Sequence, residues 1–563
     1  MPRHKILFIF FIIGLSVVLV RLFKIQIIDH IKYSQLAFNQ HFMTQEIAAP
    51  RGDIKSSDGF LLAGNLTKYL VYGEPKKITD AAKTTEILMP YLFADLYKPA
   101  LMQRNISLIK NNELDIKYAL SRQDLYWVAL VHQIDLETKK QIENLGIPGI
   151  GFRPEGSRFY PEPGLATDIL GMVGQAKNGD PRGYFGVEGY YDGDLRGRPG
   201  EVSQEQNAFG QPIVLGNYQE IAPIPGETIN LTINRSIQYM LEQGLIAGLR
   251  KYGADSVTGV IINPGSGEIL AISSKYKGAN SEASISGVPR NAAIASNYEP
   301  GSVIKPLTLA SALDQNLITP DTIYDDIGPV NYSTHWVDNW DLKHHGKITM
   351  TQVLELSNNL GAAWVGLKLG ASSLHDYLLK FGLGELSGID LQGETSGIIR
   401  NLADWRDIDT ATASFGQGIS ATPLQVAAAF SVFANGGNLI RPHIVSGSST
   451  PVRRVIAETT AATMTKMLTS AVKNGESKYF NLKNYVIAGK TGTAQIAVNG
   501  SYDPKQSNAT FVGYFPNDPK FVMLVRLERP TTSIYAAETA VPLWMSIAQE
   551  LALNMHIAPD TGL

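Results

Sequence analysis

The sequence of 563 residues contains no cysteine. This absence excludes disulfide bonds, a thiol nucleophile, thiolate zinc sites and cysteine-ligated iron–sulfur clusters. The chain also lacks an excess of either charge, because 49 Lys and Arg residues stand against 52 Asp and Glu residues and leave a formal net charge of −3. Without a large positive charge, we expect no nucleic-acid partner.

Long apolar segments are scarce as well, and one run, Ile6–Val20, is free of charge. As a helix it spans about 22 Å, which is short of the roughly 30 Å hydrocarbon core of a bilayer. Arg21 and Lys24 can extend their charged ends to the membrane surface and let the span continue to Ile28. We therefore predict a short cytoplasmic tail and a single transmembrane anchor over residues 1–28.

A cleavable signal peptide is the alternative for this segment. Leu22–Gln26, which follow the apolar run, are bulky and offer no small-residue cleavage site. We therefore favour an anchor that leaves Met1–Lys5 in the cytoplasm and the rest of the chain on the outer face of the membrane.

The pattern of apolar and polar residues changes near residue 227. Residues 29–226 mix short alternating runs with polar turns and glycine, which indicates an irregular, β-rich module. Residues 227–556 instead alternate helical and strand patterns. We predict helices at Asn234–Leu249, Pro423–Phe433 and Ala461–Val472, and strands at Val257–Ile262, Glu268–Ile272, Ala509–Tyr514 and Phe521–Leu527. Strands at both ends with helices between them predict an α+β domain whose antiparallel sheet is flanked by helices.

A nucleophile and a base stand three residues apart at Ser302 and Lys305. Three residues are nearly one helical turn, so the Nζ atom of Lys305 can reach the Oγ atom of Ser302. Pro306 is tolerated near a first turn, which puts Ser302 close to a helix N-terminus, where backbone N–H groups favour developing negative charge. Alone, this four-residue pattern is weak.

Two further elements strengthen it. Ser357 and Asn359 lie in a Ser-x-Asn that begins 55 residues after Ser302, and Lys490 opens a Lys-Thr-Gly 188 residues after it. A serine hydroxyl needs a base, and a lysine serves as one when burial and nearby positive charge lower its pKa. Lys490 can supply that charge, and Gly492 lets a peptide approach the strand edge-on.

These three elements resemble the active site of penicillin-binding proteins and serine β-lactamases. The surrounding residues resemble the transpeptidase domain of class B penicillin-binding proteins, and the upstream residues resemble the start signature and pedestal of that class. The likeness covers nearly the whole chain. It rests on Tyr298–Ser302, Thr412–Gly418, Ala488–Gln495, Arg51–Ile54, Asp58–Gly59, Leu62–Ala63, Gly186–Asp192 and Leu195–Gly197.

The resemblance implies a monofunctional peptidoglycan D,D-transpeptidase, division type rather than elongation type, with no cofactor. Ser302 would attack D-Ala-D-Ala stem peptides or β-lactams and form an acyl-enzyme, with Lys305 as general base. Ser357 would pass a proton to the leaving amine, and Asn359 would bind Lys305 and the substrate amide. The terminal carboxylate would be held by Lys490, Thr491 and Thr493. Backbone N–H groups of Ser302 and Thr493 would form the oxyanion hole.

The family also implies a bacterial cytoplasmic membrane location and a polytopic glycosyltransferase partner, bound through the anchor and the pedestal. The chain departs from the family at Asn358, where serine or cysteine is frequent, and at Asp168, where many relatives carry histidine. Neither departure changes a residue to which the resemblance assigns a catalytic role.

Two other classes of function are alternatives: hydrolases that use the same serine and lysine, and a non-enzymatic protein that does not need them. A membrane-anchored β-lactamase or D,D-carboxypeptidase shares the serine and lysine, but the Glu-x-x-Leu-Asn string of class A β-lactamases is absent between Asn359 and Lys490. A sensor or scaffold is the non-enzymatic alternative. A sensor normally needs a cytoplasmic signalling domain, and a pure scaffold would be expected to lose Ser302, Lys305 or Lys490.

Four other features have structural interpretations. A Walker A loop ending at Lys490 lacks its first glycine, since that position is Asn484. His344 and His345 have no companion ligands at metal spacing. Trp336 and Trp340 either pack or line a cleft, and the sequence does not separate the two interpretations. Glu188 and Asp192 mimic a glycosidase pair in a glycine-rich run, where we expect a structural or partner-binding use.

Overall fold

The computed structural model of the chain describes residues 2–176, 181–207, 213, 216–278, 291–332, 335–447, 452–498 and 501–560. The chain divides into two compact units. The first unit comprises Met1–Gly52, Asn65–Ser157 and Gly193–Glu227, and the second comprises Asp53–Gly64, Arg158–Asp192 and Thr228–Leu563. The domain boundaries predicted after residues 28 and 226 remain predictions.

The first unit begins with the helix predicted as an anchor. Arg3–Phe23 is α-helical and continues as a π-helical turn over Lys24–Ile28, so the helical segment includes the expected extension to Ile28. The segment has 26 residues, about 39 Å at helical rise, which exceeds the roughly 30 Å hydrocarbon thickness. None of its residues is buried. This helix is therefore long and apolar enough for a single membrane span.

The rest of the first unit mixes helices with strands. Its helices are His30–His41, Ala81–Leu92, Pro99–Ser121 and Leu136–Asn144. Its strands are Phe42–Ile47, Val128–Ile134, Gly200–Glu205 and Tyr218–Ile221, with most of Leu61–Gly73 and Ile150–Phe159. The short alternating runs of residues 29–226 indicated the strands but not these helices.

Pro99–Ser121 illustrates why the helices escaped the sequence pattern. Ile116 and Leu120 are buried, whereas Ile106, Leu114 and Tyr118 are exposed. Apolar residues therefore surround the helix instead of forming one stripe, and the helical periodicity is blurred.

The second unit is built on a five-stranded sheet. Its strands in chain order are β1 (Ser256–Ile262), β2 (Ile269–Tyr276), β3 (Ala488–Val498), β4 (Ser501–Tyr514) and β5 (Val522–Glu528). The spatial order is β2-β1-β5-β4-β3, all antiparallel, so strands from both ends of the domain share one sheet as the sequence predicted.

Seven helices of this unit enter the argument below. They are α1 (Arg235–Tyr252), α2 (Lys305–Asp314), α3 (Met350–Glu355), α4 (Asn359–Leu369), α5 (Pro423–Ala434), α6 (Glu458–Asn474) and α7 (Ala540–Asn554). The predicted helices near 234, 423 and 461 and the predicted strands are thereby confirmed.

The remaining elements of this unit are short. The helices include Thr167–Leu170, Gly186–Tyr190, Ala292–Ala295, Ala371–Lys380 and Asp407–Ala413. The strands include Ile54–Lys55, Met172–Gln175, Pro181–Tyr184, Ile229–Asn230, Ile323–Asp326, Val330–Tyr332, His335–Val337, Gly346–Thr349, Asn438–Ile440 and Val452–Arg454.

The sheet is buried between helices. On one face α1 and α7 form the main core, in which the fully buried Trp544 packs edge-on against Phe511 and donates from Nε1 to the carbonyl of Met523 (2.8 Å). α5 packs against β1 and β5 and is almost wholly buried, as its run of apolar residues requires.

Local signals set the limits of α1. The side chain of Asn234 accepts from the backbone N–H groups of Ser236 and Ile237 and caps its start. Gly253 ends it in the left-handed conformation (φ +60°), which a residue without Cβ adopts without strain. The helix is thus delimited by short-range chemistry that the sequence already contains.

Residues 158–192 contain the Gly-Val-Glu-Gly-Tyr motif. Glu188 is fully buried and pairs with the Nε atom of Arg158 at 2.6 Å. The buried pair is consistent with the structural use expected for Glu188, and the structural or partner-binding interpretation remains a prediction. Nearby, the hydroxyl of Tyr191 donates to Asp390 (2.7 Å), whose carboxylate also accepts from the backbone of Ile444.

Asp168 lies in a buried charged cluster of this unit. Its Oδ2 atom accepts from the backbone N–H of Ser274 (2.8 Å), while its Oδ1 atom is buried without a partner. Burial raises the pKa of Asp168 to about 7, Lys275 acts in the opposite direction, and Glu242 raises it further. The ionised form of Asp168 is therefore disfavoured in the folded chain.

We expect Asp168→Asn to stabilise the protein at alkaline pH and not at acid pH. The folded pKa near 7 exceeds the unfolded value near 3.8, so the folded wild type binds more protons and loses stability as pH rises through this window. Relative to the wild type, the variant should gain up to about 1.4 kcal/mol in free energy of unfolding per pH unit.

Urea unfolding between pH 4 and pH 8 measures this difference. Asp404→Asn, which removes a charge from an exposed position, is the matched control and should follow the wild-type curve. A difference between Asp168→Asn and wild type that does not vary with pH would contradict the prediction.

Candidate active site

Ser302 lies in a tight turn against a second loop. A 3₁₀ turn, Gly301–Ile304, leads directly into α2, so the serine stands just before the helix, as its sequence context predicted. Gly301 has φ +61° and donates its backbone N–H to the carbonyl of Gly416 (3.0 Å). A Cβ atom on Gly416 would lie 2.1 Å from the carbonyl oxygen of Gly301. Glycine at 416 therefore allows the loop to touch the nucleophile turn.

Lys305 is the first residue of α2 and is completely buried. Its Nζ atom donates to the carbonyl oxygen of Ser357 and lies 3.3 Å from Ser357 Oγ. Within the part of the chain that the structure describes, no hydrogen bond joins Lys305 Nζ to Ser302 Oγ. The lysine is held by the Ser-x-Asn element, beside the turn that bears Ser302.

Ser357 adopts an uncommon backbone conformation, with φ +52°. Such a conformation costs about 1–3 kcal/mol for a residue other than glycine and persists only where surrounding structure holds it. The restraint comes from Asn358, which is buried. Its Oδ1 atom caps α4 by accepting from the N–H of Gly361 (2.7 Å), and its Nδ2 atom donates to Asp326 (2.8 Å).

Asn359 is held through the same network. Its backbone N–H donates to Oδ1 of Asn339 (3.0 Å), and its side-chain Nδ2 donates to the carbonyl of Asp338 (2.9 Å). Asn339 in turn donates to Asp326 (2.9 Å). Asp326 and Asn339 were not singled out in the sequence, because no local motif contains them and each reaches the site only through the fold.

Lys490 approaches Ser357 from the sheet. It lies on β3, is 3% exposed, and its Nζ atom donates to Ser357 Oγ (3.1 Å) and to Thr491 Oγ1 (2.8 Å). Ser357 Oγ therefore stands between two buried lysines. The three motifs that were widely separated in sequence meet at this hydroxyl, which juxtaposes Lys305, Ser357 and Lys490.

A fourth charged residue, Glu476, joins this group. Its Oε2 atom accepts from the hydroxyl of Thr491 and lies 3.9 Å from Lys490 Nζ. Glu476 follows α6 in a Gly-Glu-Ser turn and belongs to no motif recognised in the sequence. Only its tertiary contacts reveal it.

Gly492 packs closely on the turn that bears Ser302, a role that the sequence did not indicate. A Cβ atom there would lie 2.8 Å from the carbonyl oxygen of Pro300 and 2.9 Å from a methyl of Val303. The missing side chain therefore lets β3 pack on the turn that bears Ser302. Thr493, one residue on, accepts from the backbone N–H of Ala536 through its hydroxyl (3.0 Å).

Strand β3 is the edge of the sheet. One side of an edge strand has backbone N–H and C=O groups that the sheet does not use, so an extended peptide can pair with it. Lys490–Thr493 lie along this edge. This geometry suits a peptide substrate whose scissile bond lies over Ser302.

The electrostatics favour one neutral and one charged lysine. Burial holds the pKa of Lys305 well below its usual range, and the charge of Lys490 lowers it further, with Glu476 opposing both. Burial lowers the pKa of Lys490, and Glu476 again acts in the opposite direction. Lys305 therefore loses its proton first and becomes an amine that can act as a base.

Aromatic side chains lie beside this centre. Trp340 donates from Nε1 to the carbonyl of Leu356 (3.1 Å) and packs edge-on against Tyr535. Trp336 is 67% and Trp340 49% exposed. Neither tryptophan is part of the core, and Trp340 is hydrogen-bonded to Leu356, the residue that precedes Ser357.

The sequence did not favour a metal site at His344 and His345. Across the described residues no group of three or more His, Cys, Asp or Glu side chains is arranged to hold an ion. His345 instead lies 3.4 Å from the carboxylate of Asp341 and donates its backbone N–H to Asp326.

Family models match both parts of the chain. The penicillin-binding protein transpeptidase domain matches residues 257–547, and the penicillin-binding protein dimerisation domain matches residues 46–231. The chain belongs to the penicillin-binding protein transpeptidase family, in its class B branch.

Curated relatives extend over most of the chain. Stage V sporulation protein D of Bacillus subtilis is 29% identical, over 99% of this chain and 86% of its own length. Peptidoglycan D,D-transpeptidase FtsI of Escherichia coli is 28% identical over 92% of this chain and 85% of its own. Penicillin-binding protein PbpB of Mycolicibacterium smegmatis is 30% identical over 80% and 74%.

Solved structures share the fold. Penicillin-binding protein 2X of Streptococcus thermophilus superimposes with a TM-score of 0.74 at 22% identity and covers 91% of this chain and 80% of its own. Penicillin-binding protein 3 of Mycobacterium tuberculosis, solved in complex with ampicillin, gives a TM-score of 0.67 at 22% identity, over 92% and 98%. The predicted α+β class is thereby confirmed.

We expect Gly492→Ala to lower the free energy of unfolding by about 1–3 kcal/mol, because the added methyl must push β3 away from the Ser302 turn. Denaturant unfolding followed by circular dichroism measures the change. Gly265→Ala adds the same methyl where the nearest atom lies at 3.4 Å, an ordinary contact, and should change stability by less than about 0.5 kcal/mol. Equal effects of the two substitutions would contradict the packing role of Gly492.

Proposed function

We propose that this protein is a serine D,D-transpeptidase that cross-links peptidoglycan stem peptides and is acylated by β-lactams. The observation that carries the proposal is the meeting of Lys305 and Lys490 at Ser357 Oγ, directly beside the turn of Ser302. A buried amine with a lowered pKa next to a serine on a helix start is a nucleophile–base arrangement.

Acylation begins when Ser302 Oγ attacks the carbonyl between the two D-alanines of a stem peptide. As the Oγ–C bond forms, the hydroxyl proton passes to the Nζ atom of Lys305. The C–N bond then breaks, and a proton reaches the leaving D-alanine amine through Ser357, whose Oγ is hydrogen-bonded to both lysines. The amine of a neighbouring stem peptide attacks the acyl-enzyme, releases Ser302 and completes the cross-link.

The sheet edge binds the substrate. Lys490 and the hydroxyls of Thr491 and Thr493 hold the terminal carboxylate of the peptide or the β-lactam, and Gly492 keeps this strand close to the nucleophile. Asn359, restrained by Asp338 and Asn339, orients the substrate amide. Charge-assisted hydrogen bonds of this kind fix the peptide along the edge.

Backbone N–H groups of Ser302 and Thr493 stabilise the tetrahedral oxyanion in this proposal. The first lies in the 3₁₀ turn at the start of α2 and the second on β3. Removal of one such donor typically lowers the rate by about a hundredfold to a thousandfold. Because Gly492 sets the spacing of these two backbones, it also sets the width of the oxyanion hole.

The anchor helix determines where the reaction takes place. We propose a single-pass protein of the bacterial cytoplasmic membrane, with Met1–Lys5 in the cytoplasm and the chain after Ile28 on the outer face, where peptidoglycan lies. We further propose that a polytopic glycosyltransferase supplies the glycan strands and binds the anchor and the dimerisation-type module of residues 29–226. FtsI and Stage V sporulation protein D among the relatives favour the division type.

We expect a fluorescent penicillin to label the protein once, and Ser302→Ala to abolish the label. Intact-protein mass followed over hours gives both stoichiometry and release. Ser372→Ala, at an exposed serine of the same unit, is the matched control and should label like wild type. Undiminished labelling of a folded Ser302→Ala variant would overturn the role of Ser302.

The same experiment separates the alternative hydrolases. A label that persists for hours supports a transpeptidase with slow deacylation. Rapid return of the unmodified mass with release of hydrolysed drug would indicate a β-lactamase instead. Release of D-alanine from a stem peptide without cross-linking would indicate a D,D-carboxypeptidase.

Arg196 offers a test of the partner surface. It is exposed in the first unit, so Arg196→Glu reverses a charge there with little expected effect on folding. Activation of cross-linking by a co-expressed polytopic glycosyltransferase should fall, while penicillin labelling of Ser302 should persist. Loss of both would mean that the variant unfolds, and loss of neither would contradict binding at this position.

A further inference from the structure

Glu476 reaches the active site through a turn that only glycine permits. The turn begins at Gly475, directly after α6, where a Cβ atom would lie 2.5 Å from the carbonyl oxygen of Glu355 at the end of α3. Glu355 is itself bound by Asn474 of α6 (3.1 Å). The turn therefore packs on the segment that leads into Ser357, and this packing brings the next side chain, Glu476, to the site.

The carboxylate of Glu476 begins a continuous chain of hydrogen bonds. The hydroxyl of Thr491 donates to Glu476 Oε2, and the ammonium of Lys490 donates to the same hydroxyl oxygen (2.8 Å). Lys490 also donates to Ser357 Oγ (3.1 Å), which lies 3.3 Å from the Nζ atom of Lys305. The chain thus runs from an anion at one end to the basic amine at the other.

This chain has a definite direction when Lys490 is charged. Lys490 then donates toward both Thr491 and Ser357, which leaves the proton of Ser357 free to point to a neutral Lys305. If Lys490 were neutral, Ser357 would instead accept from a charged Lys305, which could take no proton from Ser302. The charge of Lys490 therefore decides which lysine is the base.

We propose that Glu476 is a positioning residue that keeps Lys490 as the charged lysine and aims it at Ser357 and Thr491, so that Lys305 remains the base and Lys490 the carboxylate-binding cation. This inference rests on the proposed acyl-transfer function of the site. Glu476 touches neither Ser302 nor Lys305, and it acts through Lys490 and Thr491.

The two lysines and Glu476 form a small electrostatic system. From α2, β3 and the turn after α6, the charged groups that act on the pKa of Lys305 are Lys490 and Glu476, and the one that acts on Lys490 is Glu476. Glu476 raises the pKa of both lysines. Its neutralisation must therefore lower both pKa values.

The direction of the pH effect follows. Acylation needs a neutral Lys305, which sets the acid limb of the rate profile, and a charged Lys490, which sets the alkaline limb. Loss of the Glu476 charge should move the alkaline limb, set by Lys490 at 3.9 Å from Glu476, toward lower pH by roughly one unit, and the acid limb in the same direction by a smaller amount. A change in packing alone would alter the rate without moving the limbs.

The experiment measures the second-order rate constant for acylation of the full-length protein by a fluorescent penicillin between pH 5 and pH 10. Glu476→Gln removes the charge and keeps an acceptor for Thr491. Glu476→Ser removes the charge with a smaller side chain, and both variants should show the same shift. Glu476→Asp retains the charge and should stay near the wild-type profile. Glu550→Gln, at an exposed glutamate of the same unit, is the control for net charge and should not shift.

The results distinguish failure of the proposed function from failure of the role proposed for Glu476. If wild type is not labelled at Ser302, the proposed function is wrong. If wild type is labelled but neither neutral variant moves the two limbs, or if Glu476→Asp moves them equally, the role of Glu476 is overturned. A common shift in the neutral variants that Glu476→Asp does not show supports the inference.

Discussion

The site depends on the burial of two lysine side chains, Lys305 and Lys490, around the hydroxyl of Ser357. Lys305 and Lys490 are both buried, so each charge is costly unless it is paired or lost. Lys305 resolves the cost by giving up its proton, and Lys490 resolves it with Thr491 and Glu476. Burial, the charge of Lys490 and the carboxylate of Glu476 together favour opposite protonation states for two residues of the same type, which is the asymmetry that acid–base catalysis needs.

Three parts of the fold bring these groups together. The sheet supplies Lys490 from its edge, α2 supplies Lys305 at its start, and the strained Ser357 enters between α3 and α4. The strain at Ser357 is offset by Asn358, which serves both the cap of α4 and the bond to Asp326. Asn358 thus uses both ends of its side-chain amide to hold the backbone beside Ser357.

The features that could be predicted were those determined by residues close together in the sequence. Ser302 and Lys305 are one turn apart, and the sheet strands follow simple apolar runs, so their positions could be anticipated. Glu476 and Asp326 could not, because each reaches the site only through contacts between segments far apart in the chain. For Gly492 the sequence indicated the approach of a peptide, but it could not show the second role of the small residue, which is close packing against Pro300 in the turn behind the strand. The helix Pro99–Ser121 was missed because its apolar residues form no single stripe.

Main-chain contact at the nucleophile turn also limits how this protein can evolve. Gly416 and Gly492 approach backbone oxygen atoms of the nucleophile turn so closely that a Cβ at either position would displace the main chain, and Gly301 has φ +61°, which favours glycine. Substitution at these positions therefore changes the turn of Ser302 itself. Sequence variation is accommodated more easily at exposed side chains away from this turn.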